Sequence, residues 1–243
     1  MREKPLPRSP PEVSESPIAR PTLKLGKKIR WKVVLVSTSV LFISWLVAMH
    51  FVDLKAAREY RVYGSTRLAS DNASRLLFSL YEFEEKYGKF PDASTIASVQ
   101  RDSGTSVTLS DRTSNDLFAQ LLVLNLVTRE RTFHTAGEST RFPDEVLTTG
   151  STLLQHGENS YAYIPGSLAQ APDTPVIFAP VIPGTMILDP ETFGGKALVV
   201  STDSTRTFLP IDSFGKIILN GRDLFDPLQP FWNGKVPAVK WPK

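Results

Sequence analysis

The chain has no cysteine among its 243 residues and only three histidines, His50, His134 and His156. The first absence excludes disulfides and thiolate metal ligands. The second leaves too few imidazoles for a histidine-based metal site, and no HExxH spacing is present. Other chemical signatures are missing as well: there is no GxSxG, no GxxxxGK[ST], and no GxGxxG following a strand. Ser151 or Ser160 can be combined with His156 and an acid into a triad on paper, but any chain of this length offers such combinations. His134 and His156 read as surface or turn residues. The paired acids Glu84 and Glu85 read as a solvated helix face. No catalytic residue, cofactor-binding residue or metal ligand is assigned, and the expectation is a protein that is not an enzyme and uses no cofactor.

Excess charge of one sign is missing too, once the chain is divided. The 28 basic and 25 acidic side chains give +3 overall and a pI near 9.1. Residues 1–32 alone hold nine Lys or Arg against three Glu, which leaves 19 basic and 22 acidic side chains in the 191 residues after 52. The basic pI therefore belongs to a short tail, and a nucleic-acid partner is not expected.

One long apolar run is present. Residues 33–52, VVLVSTSVLFISWLVAMHFV, carry no charge, and about 20 helical residues at ~1.5 Å each cross a ~30 Å hydrocarbon core. The run begins too late and is too long for the apolar core of a cleaved signal peptide. Its serines and threonine are tolerable because a helical hydroxyl bonds back to its own backbone, and Trp31 suits the membrane interface. The expected partner is the lipid bilayer. Lys24, Lys27, Lys28, Arg30 and Lys32 precede the run and Lys55, Arg58, Arg61 and Arg67 follow it. Together with the basic tail, this narrow bias places the amino terminus in the cytoplasm. Six prolines and no aromatic before Trp31 make residues 1–32 a disordered cytoplasmic arm.

Beyond the run, Ala69, Ala73, Leu76, Leu80, Phe83 and Tyr87 step at helical period and predict a helix over 53–87 with one buried face. Gly88 and Pro91 end it. A short helix is expected near 96–101. Another follows Thr113 as N-cap, with Asp116 completing a capping box, and runs to about 128. After Gly137 the pattern becomes strand-like at 160–164, 176–179, 197–201, 205–211 and 216–219. Turns at Asp203-Ser204 and Asp212-Ser213-Phe214-Gly215 are expected to join the last three into one antiparallel meander. The tail, with Phe231, Trp232 and Trp241, is expected over the sheet edge. The division is thus a tail at 1–32, a membrane helix at 33–52, an extended helix at 53–92 and an α+β domain at 93–243.

Leu80-Tyr81-Glu82-Phe83-Glu84-Glu85-Lys86-Tyr87-Gly88-Lys89-Phe90-Pro91-Asp92 resembles the stretch of type II secretion pseudopilins and type IV pilins where the long amino-terminal helix ends in an aromatic, a Gly and an aromatic-Pro pair. Ser114-Asn115-Asp116-Leu117-Phe118, Tyr161-Ala162-Tyr163-Ile164 and Ala197-Leu198-Val199-Val200 are similar to segments of pilin-like proteins from Verrucomicrobia and Planctomycetes. The resemblance implies an α+β fold, with a long transmembrane helix extended beyond the bilayer and packed on a small antiparallel sheet. It also implies a non-catalytic interaction or assembly role in the bacterial cell envelope, related to secretion, with protein partners there. Prepilins place an apolar helix with Glu at its fifth position after the cleavage-site Gly. Here Gly26 is followed by Lys27-Lys28-Ile29-Arg30-Trp31, so the helix is expected to stay as an uncleaved single-pass anchor with the carboxyl-terminal domain outside the cytoplasmic membrane. Some pseudopilins hold Ca²⁺ in turns of the carboxyl-terminal sheet, which makes Asp203, Asp212, Asn220, Asp223 and Asp226 the oxygen ligands to inspect. The alternative from another class is a membrane-tethered envelope enzyme or solute-binding domain.

Overall fold

A computed structural model describes residues 27–137, 139–147, 153–171 and 173–243, with side chains from Leu35 onward. The chain divides into two compact units, Met1–Leu54 and Lys55–Lys243. Helix α1 spans Lys27–Tyr87 and contributes to both. Its described part begins six residues before the apolar run. Residues 1–26 lie outside the described part.

In the first unit, α1 keeps its apolar side chains uncovered by protein. Leu41 is 69% exposed, Phe42 59% and Phe51 67%. The most apolar window of the helix has a mean hydropathy of 1.9 and none of it is buried. Among the described residues this is the one helix long and apolar enough to cross a membrane. The hydroxyls of Thr38 and Ser39 both donate to the Leu35 carbonyl, at 3.0 and 2.8 Å, so neither presents an unsatisfied polar group.

The second unit reverses that pattern. Ala69, Ala73, Leu76, Leu80 and Phe83 are fully enclosed, as their period requires, and Tyr87 is half-buried against them. Gly88 ends the helix at φ +77°, its N–H bonded to the Glu84 carbonyl at 2.7 Å. A residue with a Cβ would adopt that conformation at a cost. Helix α2 follows at Ile96–Ser103 and α3 at Ser114–Val123. The α3 capping box is present: the Thr113 side chain accepts from the Asp116 N–H and the Asp116 carboxylate accepts from the Thr113 N–H. The helix is shorter than its apolar pattern suggests, because Asn125 takes φ +58° and turns the chain.

Four strands, β1 (Ala162–Tyr163), β2 (Pro175–Ala179), β3 (Lys196–Ser201) and β4 (Arg206–Pro210), form an antiparallel sheet in sequence order. Both faces are covered, which explains why β2 is buried along its whole length. Tyr163, Ile177, Ala179, Leu198 and Val200 meet the α1 seam and α3. Ala162, Phe178, Ala197 and Val199 face a second cluster with Ile217, Leu224 and Trp232. Hydroxyls tie the layers together: Tyr161 donates to the Ala69 carbonyl at 3.1 Å and Tyr163 to the Pro91 carbonyl at 3.0 Å.

Two expectations are corrected here. Residues 216–219 do not extend the meander. Strand β5 (Ile218–Leu219) pairs with β6 (Arg222–Asp223) in a separate ribbon, joined to the end of β4 by the single bridge Ile211–Ile217. The cause is local: Asn220 and Gly221 both take positive φ, +54° and +76°, the conformation that a two-residue hairpin turn demands. The tail, in turn, does more than line an edge. Its Trp232 indole donates to the Leu224 carbonyl at 2.6 Å and closes the outer face, while Lys240 pairs with Tyr163 at the β1 edge.

Candidate functional site

The aspartates flagged for calcium hold turns. Asp203 accepts from the Thr205 N–H at 2.9 Å, Asp212 from the N–H groups of Phe214 and Lys216 at 2.9 Å each, Asp223 from Phe225 at 3.0 Å, and Asp226 from Leu228 at 2.8 Å. Asn220 makes the hairpin turn. Among the described residues, no three of the four aspartates gather into one group. No histidine forms a hydrogen bond or ion pair with a carboxylate among the described residues. His134 is buried with Nδ1 unpartnered, stacks edge-on against Phe142, and is held below the ordinary imidazole pKa by burial. His156 is exposed. Ser160 is fully buried and its hydroxyl accepts from the Thr135 N–H at 3.0 Å. Ser151 lies outside the described residues. Glu84 is half-buried, its two carboxylate oxygens receiving the Ala169 N–H at 3.1 and 2.9 Å; only Glu85 of that pair is fully solvated.

The described residues do gather three other acids. Glu130, Asp144 and Glu158 each bring a carboxylate oxygen within 4.8 Å of the other two. Glu130 opens the 3₁₀ turn Glu130–Phe133. That turn is anchored to α1 because the buried Asn72 amide donates to the carbonyls of Arg131 and His134, at 2.9 and 3.1 Å. Glu145 locks the next segment against it reciprocally: Glu130 Oε2 accepts the Glu145 N–H at 2.8 Å and Glu145 Oε2 accepts the Glu130 N–H at 3.0 Å. Glu158 arrives through the backbone bond from Arg141 N–H to the Gly157 carbonyl, 2.9 Å. Its Oε2 accepts the Gln155 N–H at 2.6 Å. Gly157 needs its φ of +84°, and a Cβ there would sit 3.2 Å from the Arg141 Cβ.

The electrostatics are unbalanced. Glu130 and Glu158 are fully enclosed, yet Oε1 of each has no hydrogen-bond donor. Arg141 Nε stands 3.8 Å from Glu158 Oε1, and its Nη2 stands 3.6 Å from Asp144. Arg131 is committed to Glu145 at 2.5 Å. Burial, then the neighbouring Glu158 charge, push the Glu130 carboxyl up to about 7. Asp144 faces solvent, giving the cluster an open side. All its donors are hard oxygens, which suits an alkaline-earth cation better than a thiophilic or imidazole-seeking metal.

A second feature is an open cleft of about 510 Å³ between α1 and the sheet, lined by Arg58, Val62, Tyr63, Phe193, Lys196 and Phe208. Its walls are mostly apolar with a rim of mixed charge, Arg58, Glu59 and Lys196, and Arg58 is tied to Glu191 at 2.9 Å. Nothing in the sequence marks either feature beforehand. Comparison with family models, with curated proteins and with solved structures finds no match to this chain.

Proposed function

We propose that the protein is a single-pass, membrane-anchored, pilin-like component of the bacterial cell envelope, with an uncleaved α1 and an extracytoplasmic domain that works by interaction or assembly, in a secretion-related setting, rather than by catalysis. The observation that carries the reading is the change of environment along one helix. Its first part bears uncovered leucines and aromatics, and its second part is the central element of a folded α+β unit. A helix that serves as both anchor and core belongs to a domain held at a membrane surface. The apolar cleft supports a protein partner, since sizeable exposed apolar concavities serve binding.

The test is site-specific photocrosslinking from Tyr63 in intact cells, read together with the intact mass of the purified chain. The reading predicts an adduct with an envelope protein and a mass that retains Met1–Gly26. A chain cut after Gly26 would instead support processing as a prepilin. Tyr63 adducts confined to cytosolic proteins would overturn the envelope assignment.

A further inference from the structure

We propose that Glu130, Asp144 and Glu158 form a binding site for one hard divalent cation, with Ca²⁺ the best chemical fit, and that the cation clamps together the 3₁₀ turn, the 140–147 segment and the turn before β1. The proposal does not depend on the membrane reading.

The acids alone would not carry it. What points to a ligand is that two carboxylates are sealed inside the fold, each with an oxygen that no donor among the described residues reaches. A buried carboxylate oxygen without a donor is strongly unfavourable. Here two such groups converge, with a third beside them, within 4.8 Å. The other oxygens of Glu130 and Glu158 accept the backbone N–H groups of Glu145 and Gln155, which hold those side chains in place, while Asp144 at the solvent side accepts from the Val146 N–H at 3.1 Å and the Gln155 side-chain amide at 2.8 Å, contacts a cation would share or displace. Local charge agrees in magnitude. Glu130, Asp144, Glu145 and Glu158 are opposed by Arg131 and Arg141, which leaves two negative charges. With all four acids ionised, a divalent cation neutralises those two charges, and it enters from the solvent side through Asp144. Water on that side completes the six to eight oxygen ligands typical of Ca²⁺.

Arg141 is the competing occupant. Its guanidinium stands 3.8 Å from Glu158 Oε1, beyond hydrogen-bond reach. Its Nη1 is engaged by Gln155 Oε1 at 2.8 Å, so it borders the site without satisfying it. A proton shared between Glu130 and Glu158 is the other way to settle the same charges, and the experiment separates the two.

The full chain in detergent micelles is titrated with CaCl₂ and, separately, MgCl₂, by calorimetry and by thermal unfolding against an EDTA control. One Ca²⁺ is expected per chain, with a dissociation constant between roughly 10 μM and 1 mM. At about one hundred times that constant, unfolding should shift upward by roughly 5–10 °C. Asp144→Asn, at an exposed position, should keep the fold and weaken binding about tenfold or more. Glu158→Gln should abolish binding, while Asp212→Asn, in a turn, should leave it unchanged. The proposal is overturned if the wild-type chain takes up no Ca²⁺ or Mg²⁺ at millimolar concentration; a rise in the unfolding temperature of Glu130→Gln in EDTA then identifies a shared proton as what settles the charges instead. The proposal is equally overturned if binding survives undiminished in both Asp144→Asn and Glu158→Gln.

Discussion

Replacing Leu80 by Ala separates the two environments of α1. Leu80 is fully enclosed in the cluster built on Phe83, Phe118 and the inner sheet face. Truncation removes three carbon groups, about 2.4 kcal/mol at ~0.8 each. The cavity left in a packed core adds about 1–2 kcal/mol, for a total near 3–4 kcal/mol. For a unit of this size that corresponds to roughly 6–16 °C in unfolding temperature. The matched control is Leu41→Ala, at a position 69% exposed on the same helix, where no protein neighbour is lost and the change should stay within about 0.5 kcal/mol. Denaturant unfolding of the full chain in micelles, followed by near-ultraviolet circular dichroism of the packed aromatics around Phe118 and Tyr163, measures both. A Leu80→Ala cost below about 1 kcal/mol, or a Leu41→Ala cost of equal size, would refute the assignment of the seam to a core and of the upstream leucines to an environment outside it.

Three further outcomes follow from particular contacts. Asn72→Ala strands the Arg131 and His134 carbonyls it now satisfies; a loss of about 1–3 kcal/mol is expected, with faster amide exchange at residues 130–134, and unchanged exchange there would contradict the anchoring role. Gly221→Ala forces a Cβ into φ +76° and should cost about 1 kcal/mol in denaturant midpoints, whereas Asn220→Gly should be near neutral. Asp92 receives the Ser94 N–H and hydroxyl, the Thr95 N–H and the Lys89 ammonium. Burial alone would raise its pKa, but these partners outweigh that and hold the carboxyl below its ordinary value of 3.8. A lowered folded-state pKa contributes stability that is present above the ordinary value and is lost as pH falls through the lowered one. Asp92→Asn should therefore destabilise at neutral pH by about 1 kcal/mol, and the gap to wild type should close below about pH 3 in acid titrations of stability.

The parts of the fold that were legible are those set by local rules. The α1 seam needs only a 3.6-residue period, and the Thr113–Asp116 box needs two side chains three residues apart. The apolar run needs only length. Features made by chain crossings were not legible. One local signal was passed over as well: Asn220-Gly221, a short-range hairpin dipeptide, sends residues 216–219 into the β5–β6 ribbon where the strand pattern alone carried them into the meander. The outer layer over Phe178 and Val199 is assembled from a proline-rich tail with little periodicity. The acidic cluster is the clearest case. Glu130, Asp144 and Glu158 are spaced without a motif, and they meet only because Arg141 pairs with Gly157 and Glu145 with Glu130. The aspartates that did stand out in sequence, at 203, 212, 223 and 226, drew attention for a residue preference that backbone turns explain by themselves.

Because the chain has no cysteine, single substitutions report topology without background. Ser9→Cys in the tail, Val40→Cys in the apolar run and Ser213→Cys in the exposed turn after β4 should be labelled with a membrane-impermeant maleimide in spheroplasts and again after lysis. The account predicts that position 213 reacts in intact spheroplasts, that position 9 reacts only after lysis, and that position 40 stays unreactive until detergent dissolves the membrane. Labelling of position 9 but not 213 from outside would reverse the orientation, and ready labelling of position 40 in a soluble fraction would contradict the anchor itself.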